Sequence, residues 1–161
     1  MINIEQFLSL DGYNTEKRIS RRKKANIHSN EFFTPYSIVK RMCEKIPESD
    51  WSDPDKTFLE PCAGNFQFGV YIIWNRIQHG ISWVTALSTL YMIELMQDNI
   101  DEGRNRIIEM LSQICPDFEE SIANDIMDKN IICHDFFTWN FEEWREMTEE
   151  EIKEANKKAK K

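Results

Sequence analysis

The chain has 161 residues, of which 41% are hydrophobic and 30% charged, and its formal net charge is −8. This length and composition suit one globular domain with its own core, and the acidic balance argues against a general polyanion-binding protein. No apolar run approaches a membrane span and the amino terminus lacks a signal-peptide pattern, so we expect a cytoplasmic protein.

Residues 1–29 combine a short apolar start, which predicts a small helix, with a dense cluster of positive charges. The cluster consists of Lys17, Arg18, Arg21, Arg22, Lys23 and Lys24. A basic arm on an acidic body can contact phosphates, which makes DNA a candidate partner. A solvated leader that binds nothing is an equally good interpretation of the same residues.

Residues 30–141 alternate between helical and strand patterns. A helix is predicted to begin at Thr34-Pro35, because Thr is a good N-cap and Pro a good first helical residue. Short apolar runs predict strands at 57–59, 90–93 and 130–133, with helices at 70–77, 82–87 and 100–111. This alternation favours an α/β fold with right-handed crossovers and a mainly parallel, partial Rossmann-like sheet with flanking helices.

Residues 142–161 form a charged tail that is predicted to be a helix or a linker. Thr148 and Glu151 have the spacing of a capping box, in which each residue satisfies a backbone N–H of the other. Glu149 with Lys153, and Glu154 with Lys158, are spaced for pairs four residues apart on a helix. Apolar residues are nearly absent here, so this helix has little to bury.

The predicted strands are each followed by an acid, namely Glu60, Glu94 and Asp135. Ligands of open α/β sheets bind at the carboxyl ends of the strands, where these carboxylates would meet. A carboxylate at Glu94 could accept from two ribose hydroxyls, and Asp135 could accept from an adenine amine. Gly64 would let a ligand approach the backbone closely. Glu94 and Asp135 could each equally be an ordinary loop residue.

The cysteines indicate no metal centre. They stand at positions 43, 62, 115 and 133, without a Cys-x-x-Cys pair. Cys133, His134 and Asp135 are adjacent on an extended segment, where neighbouring side chains point to opposite faces. We therefore predict no metal site.

Four elements in order carry a family resemblance: Asn30-Glu31-Phe32-Phe33-Thr34-Pro35, then Leu59-Glu60-Pro61-Cys62-Ala63-Gly64-Asn65, then the strand ending at Glu94, then Ile131-Ile132-Cys133-His134-Asp135-Phe136-Phe137. This order resembles the S-adenosylmethionine-dependent DNA adenine-N6 methyltransferases of phage and restriction-modification systems, in which the Phe-Thr-Pro element precedes the glycine loop. The resemblance covers residues 30–139 and implies a bacterial or phage-infected cell.

The resemblance implies S-adenosylmethionine as cofactor and assigns roles to matching positions. The implied cofactor-binding residues are Thr34, Pro35, Glu60, Cys62, Ala63, Gly64, Glu94, Leu95, Asp135 and Phe136. Thr34 and Pro35 would line the methionine end, and the loop from Glu60 to Gly64 would lie under it. Glu94 would hold the ribose, Leu95 would pack on the adenine, Asp135 would bind its amine and Phe136 would stack on its ring.

The chain departs from the family pattern in its glycines and in one absent motif. Glycine is usual where Met92 stands, and also before the third acid, where His134 stands. The family loop usually has a second glycine where Phe66 stands, and we expect a bulky side chain there to narrow the cofactor site. The Asn/Asp-Pro-Pro-Tyr/Phe motif, which grips the flipped adenine, is missing, so no catalytic residue is assigned. The chain therefore resembles a cofactor-binding half.

Three functional hypotheses remain. A truncated methyltransferase would need a complementary catalytic polypeptide, or self-association, at the sheet edge left open after the third strand. A non-catalytic methyltransferase-fold protein would serve as a binding, regulatory or decoy module. A dinucleotide-dependent oxidoreductase has the acid after the second strand in its favour, but Gly-x-Gly-x-x-Gly is absent.

Overall fold

The computed structural model describes residues 3–8 and 33–158, which form a mixed α/β fold with a three-stranded parallel sheet and flanking helices. The basic cluster at 17–24 lies outside the described residues. The elements are α1 (Glu5–Leu8), α2 (Tyr36–Cys43), α3 (Glu48–Trp51), β1 (Phe58–Glu60), α4 (Gln67–Gln78), α5 (Trp83–Ser88), β2 (Leu90–Glu94), α6 (Gln97–Ile114), α7 (Glu120–Asn130), β3 (Ile131–Cys133), β4 (Trp139–Asn140), β5 (Arg145–Glu146) and α8 (Glu149–Lys158). No helix among them is both long and apolar enough to cross a membrane.

The sheet has the order β1-β2-β3, and all its strands run parallel. The register places Phe58 opposite Leu90, and Met92 opposite Ile131. Both connections advance in the same direction across the sheet, so right-handed crossovers place their helices on one face. Close packing supports this arrangement, because a Cβ added to Gly69 of α4 would lie 2.5 Å from Met92 Sδ. The predicted strands are confirmed to within one residue.

The core lies between this face of the sheet and helices α4 to α7, and a fully buried cation lies within it. Arg76 of α4 donates to the Asp53 carbonyl and the Thr89 hydroxyl, and its guanidinium lies 5.3 Å from the centre of the Phe58 ring. Burial lowers the pKa of Arg76. These contacts tie the loop before β1 to the amino-terminal end of β2, away from the carboxyl edge.

The other face of the sheet is partly covered by a hairpin that the sequence did not predict. Strands β4 and β5 pair antiparallel, and the Trp144 ring between them packs edge-on against Tyr91 of β2 at 4.8 Å. The Trp144 indole N–H donates to the Lys129 carbonyl at 2.8 Å, which joins the hairpin to the end of α7. Leu59, beside Tyr91 in the register, stays 47% exposed.

Three helices differ from the sequence prediction, and one of them is the short α3 (Glu48–Trp51), which lies in a segment where no helix was predicted. Helix α2 begins at Tyr36, and its N-cap is Pro35, whose carbonyl accepts from Ile38 and Val39 at 2.9 and 3.1 Å. Thr34 lies one residue outside the cap, so its prediction as the N-cap was wrong. Helix α7 was not predicted, because its polar sequence has only a narrow apolar stripe around the buried residues Ala123 and Met127.

The predicted capping box at the start of α8 is confirmed. The Thr148 N–H donates to the Glu151 carboxylate at 2.7 Å, and the Glu151 N–H donates to the Thr148 hydroxyl at 3.3 Å. Arg145 of β5 forms a two-pronged ion pair with Glu151, both bonds being 2.9 Å long. These hydrogen bonds, chiefly those from Arg145, lower the pKa of Glu151 to about 2. Helix α8 buries none of its residues.

Candidate functional site

The loop after β1 folds back over the carboxyl end of β2. The Ala63 N–H donates to the Ile93 carbonyl at 2.9 Å, and the Gly64 N–H donates to the Glu94 carboxylate at 2.8 Å. Gly64 has φ +53, a left-handed conformation that glycine adopts without a steric penalty. The glycine turn predicted from the sequence is therefore anchored to the neighbouring strand by two hydrogen bonds.

The segment before α2 covers this loop. A Cβ added to Gly64 would lie 3.5 Å from the Phe33 ring, so the ring rests on the loop at van der Waals distance. Thr34 and Pro35 follow it and are half-buried. The structure thus brings the Phe-Thr-Pro element onto the glycine loop, although the two are about 30 residues apart in the chain.

Phe66 adopts a backbone conformation that is typical of glycine. Its φ is 66 and its ψ is 36, and it caps the start of α4. Its ring is fully buried and faces Gly103 of α6, where an added Cβ would collide with it. The sequence led us to expect that this side chain would narrow the cofactor site. The ring instead fills the core beneath the loop, and the left-handed backbone costs about 1 kcal/mol.

Glu94, the acid at the end of β2, holds the loop and the next helix together. Besides the bond from Gly64, its carboxylate accepts from the Met96 N–H at 2.9 Å and from the Asn99 amide at 3.2 Å. A carboxylate has about four acceptor sites, so most of them are used by the protein itself. The residue predicted to hold a ribose therefore has a structural role in the described chain.

The charges of all three strand-end acids act on one thiol, that of Cys62. Burial raises the pKa of Cys62, and the nearby charges of Glu94, Glu60 and Asp135 raise it further. The His134 N–H donates to the Glu94 carbonyl at 3.1 Å, which brings the end of β3 beside the end of β2. The acids that the sequence placed at one edge are thus within electrostatic range of the same side chain.

Glu60 is a half-buried carboxyl that has no hydrogen-bond or ion-pair partner within residues 3–8 and 33–158. Burial raises its pKa to about 7. Its negative charge also contributes to raising the pKa of Cys43 at the end of α2. A desolvated carboxylate without a counter-charge is unfavourable, so this position favours a cation.

Apolar side chains flank the acids at the same edge. Leu95 is 65% exposed directly after Glu94, and Phe136, half-buried, follows Asp135. The Asp135 carboxylate accepts from the Phe137 N–H at 3.0 Å, while the rest of this exposed side chain faces solvent. The edge therefore offers negative charge between apolar surfaces.

Sequence reasoning missed the polar side chains that support the loop from below. Arg106 of α6, 8% exposed, donates through Nη1 to the Asn65 carbonyl at 2.5 Å. The Asn65 side chain, fully buried, donates to Glu102 at 3.2 Å. One signal was available: Arg106 lies three residues after Gly103 and four before Met110, so helical spacing places it on the buried face.

Comparisons with protein-family models, with curated proteins and with solved structures find no match to this chain. Within the described parts of the chain, no group of three or more His, Cys, Asp or Glu side chains is arranged to hold a metal ion. The functional interpretation therefore depends on the residues and geometry of the carboxyl edge.

Proposed function

We propose that this chain is the S-adenosylmethionine-binding half of a DNA adenine-N6 methyltransferase, completed by a second polypeptide that carries the catalytic motif. The observation that carries the proposal is that Glu60, Glu94 and Asp135 stand at or directly after the carboxyl ends of three paired parallel strands, with the His134 N–H bonded to the Glu94 carbonyl at 3.1 Å. The glycine loop lies beside them, and ligands of open α/β sheets bind at this edge.

The chemistry of the edge fits this cofactor. S-adenosylmethionine carries a positive sulfonium and an ammonium group. The carboxyl of Glu60, which bonds to no residue of the described chain, is placed for such a cation. Asp135 offers an exposed acceptor for the adenine amine, and Leu95 and Phe136 offer apolar surface for its ring. The Phe66 ring is buried in the core, so it leaves the outer side of the loop clear.

In this proposal the second polypeptide pairs with the edge of β1, at the opposite end of the sheet from the β3 edge suggested by the sequence. The Phe58 N–H donates to the carbonyl of Thr89, the residue before β2, so the backbone groups of Leu59, one residue on, point away from β2. A groove of about 310 Å³ lies beside this strand. Its lining residues are Thr57, Phe58, Leu59, Tyr91, Phe141, Glu142 and Trp144. An edge whose outward backbone groups have no partner among residues 3–8 and 33–158, beside a groove lined mainly by aromatic and aliphatic side chains, suits strand addition.

In this proposal DNA is the substrate, and the basic cluster of Lys17, Arg18, Arg21, Arg22, Lys23 and Lys24 contacts its phosphates. Neutralising phosphates releases counterions, so the affinity for DNA would fall steeply as salt is added. Base recognition would come from the second polypeptide.

Calorimetric titration with S-adenosylmethionine tests the cofactor site. Glu60→Gln is the sharpest variant, because Glu60 bonds to no described residue, whereas replacing Glu94 would also release the loop. Loss of a charge-assisted contact should weaken binding about tenfold or more. Glu150→Gln on the exposed face of α8 is the matched control and should bind as the wild type does. Equal affinities of Glu60→Gln and the wild type would refute the site.

One observation favours the alternative of a non-catalytic binding module. The Glu94 carboxylate already accepts from Gly64, Met96 and Asn99, which leaves little capacity for two ribose hydroxyls. In that case the folded wild-type protein would show no heat of binding with millimolar S-adenosylmethionine. The same titration thus separates the two functions.

A further inference from the structure

A buried arginine links the candidate loop to the amino terminus of the described chain. Arg106 donates through Nε to the Phe7 carbonyl of α1 at 3.0 Å, and its Nη2 donates to the same carbonyl. Its Nη1 donates to the Asn65 carbonyl in the loop at 2.5 Å. One planar guanidinium on α6 therefore holds two segments that are nearly 60 residues apart in sequence.

The loop has a second connection to the same helix. The Asn65 amide donates to Glu102, which lies one turn before Arg106 on α6. The Asn65 Oδ1 and Gln67 Nε2 atoms are buried and have no hydrogen-bond partner in the described structure. The bonds to Glu102 and Arg106 are thus the chief polar contacts that hold Asn65 in place. The outer side of the loop is held separately, by the bond from the Gly64 N–H to the Glu94 carboxylate.

Helix α1 is too short to be stable alone and depends on its docking. It has four residues, well below the length at which an isolated helix persists in water. Its segment inserts Ile4, Phe7 and Leu8 into the core, each at most 5% exposed. Docking of α1 and the position of the loop are therefore joined through Arg106.

We propose that Arg106 is a positioning residue for the glycine loop, and that it acts by fastening the loop to α1, so that ligand affinity at the loop depends on α1 being docked. The identity of the ligand, S-adenosylmethionine, rests on the proposed function. Because coupling between two sites is reciprocal, ligand bound at the loop also strengthens the docking of α1.

Three variants of the full chain test this role. Arg106→Met removes all donors, and Arg106→Lys keeps the charge but loses the planar fork that serves two carbonyls. Arg104→Met is the matched control, because Arg104 lies on the same helix and bonds instead to Asn124 at 3.2 Å and Asp128 at 2.7 Å of α7. Amide hydrogen exchange is measured at Gly64 and Phe66 and over residues 3–8, with α7 as the internal reference for the Arg106 variants.

In Arg106→Met we expect exchange protection to fall about tenfold or more at the loop and at residues 3–8, relative to α7. Arg106→Lys should lie between Arg106→Met and the wild type, and Arg104→Met should leave the loop unchanged. If Arg106→Met does not fold, Arg106→Lys decides the question by the same comparison. Uniform loss of protection across loop, α1 and α7 would overturn the proposal and leave Arg106 a purely structural residue.

Titration with S-adenosylmethionine adds the functional measurement. Arg106→Met should bind about tenfold more weakly than the wild type, and Arg104→Met should match the wild type. If the wild type binds no S-adenosylmethionine, the proposed function fails, whereas the exchange result still tests the positioning role. If Arg106→Met and Arg106→Lys both bind S-adenosylmethionine as tightly as the wild type, the positioning role fails while the proposed function stands.

Discussion

The ring of Phe66 lies directly against the backbone of Gly103, at a point where α6 has no space for a side chain. The contact connects the end of the glycine loop to the middle of the helix that follows β2. Phe66 has a left-handed backbone conformation, which glycine adopts more easily. The free energy gained by burying its ring offsets the cost of this conformation. Each residue therefore constrains the identity of the other.

Gly103→Ala should destabilise the protein, because the new methyl group would collide with the Phe66 ring. We expect a loss of about 1–3 kcal/mol in the free energy of unfolding, although alanine is the better helix former. Urea denaturation of Gly103→Ala, Phe66→Leu and the double variant measures the coupling. The smaller leucine should recover part of the loss, and strictly additive effects would contradict the contact.

Glu60→Gln should stabilise the protein above neutral pH. Burial raises the folded-state pKa of Glu60 to about 7 from an ordinary value of 4.5, so the folded state binds the proton more tightly. The stability that the folded state gains from binding this proton is therefore lost as pH rises from about 4.5 to about 7. The penalty is about 1–3 kcal/mol above that window.

Denaturant unfolding at pH 5 and pH 8 measures this effect. The wild type should lose stability relative to Glu60→Gln between the two values, and Glu150→Gln should follow the wild type. Parallel behaviour of Glu60→Gln and the wild type would mean that the carboxyl is solvated or already paired. Saturating S-adenosylmethionine should reduce the difference, because a bound cation compensates the charge.

The ion pair between Arg145 and Glu151 should set the pKa of the Glu151 carboxyl in the charged tail. Hydrogen bonds, chiefly from Arg145, lower the pKa of Glu151 to about 2. The stabilisation is therefore complete above the ordinary value near 4.5 and is lost as pH falls toward 2. In Arg145→Met the pKa of Glu151 should return toward its usual range, as followed by side-chain carboxyl NMR shifts. An unchanged pKa in that variant would show that Thr148 alone is responsible.

Leu59→Pro should preserve the fold while blocking the open edge of β1. The Leu59 N–H points away from β2, so its loss removes no bond of the sheet, and proline is tolerated on edge strands. Without a partner, the free edge should cause concentration-dependent self-association of the wild type, and sedimentation velocity should show its loss in Leu59→Pro. Circular dichroism checks the fold. Association that persists in Leu59→Pro would assign it to another surface.

Much of the architecture was predictable because its signals are local. Leu90 to Glu94 forms a strand from a continuous apolar run, and Gly80, with φ +84, follows the end of α4 as expected of a helix stop. The capping box of Thr148 and Glu151 likewise involves only neighbouring residues. Backbone conformation near a residue depends mainly on that residue and its neighbours, so such features can be predicted from short segments.

The unpredicted features depend on contacts between distant segments. Helix α7 has a polar sequence that becomes helical when Ala123 and Met127 pack into the core. The hairpin is held by Trp144, which needs Tyr91 and the Lys129 carbonyl. Neither signal is present in the segment itself, because each partner lies elsewhere in the chain.

The candidate site shows the same division. The amino-acid sequence was enough to predict a glycine turn and three acids after parallel strands, since the strand patterns and the position of each acid are local properties. Four features depend on the folded chain: the direction in which Phe66 faces, the bond by which Glu94 holds the loop, the lack of a partner for Glu60 among the described residues, and the link from the loop to α1 through Arg106. These depend on burial and on side chains from other elements, and desolvation acts only once the chain is folded.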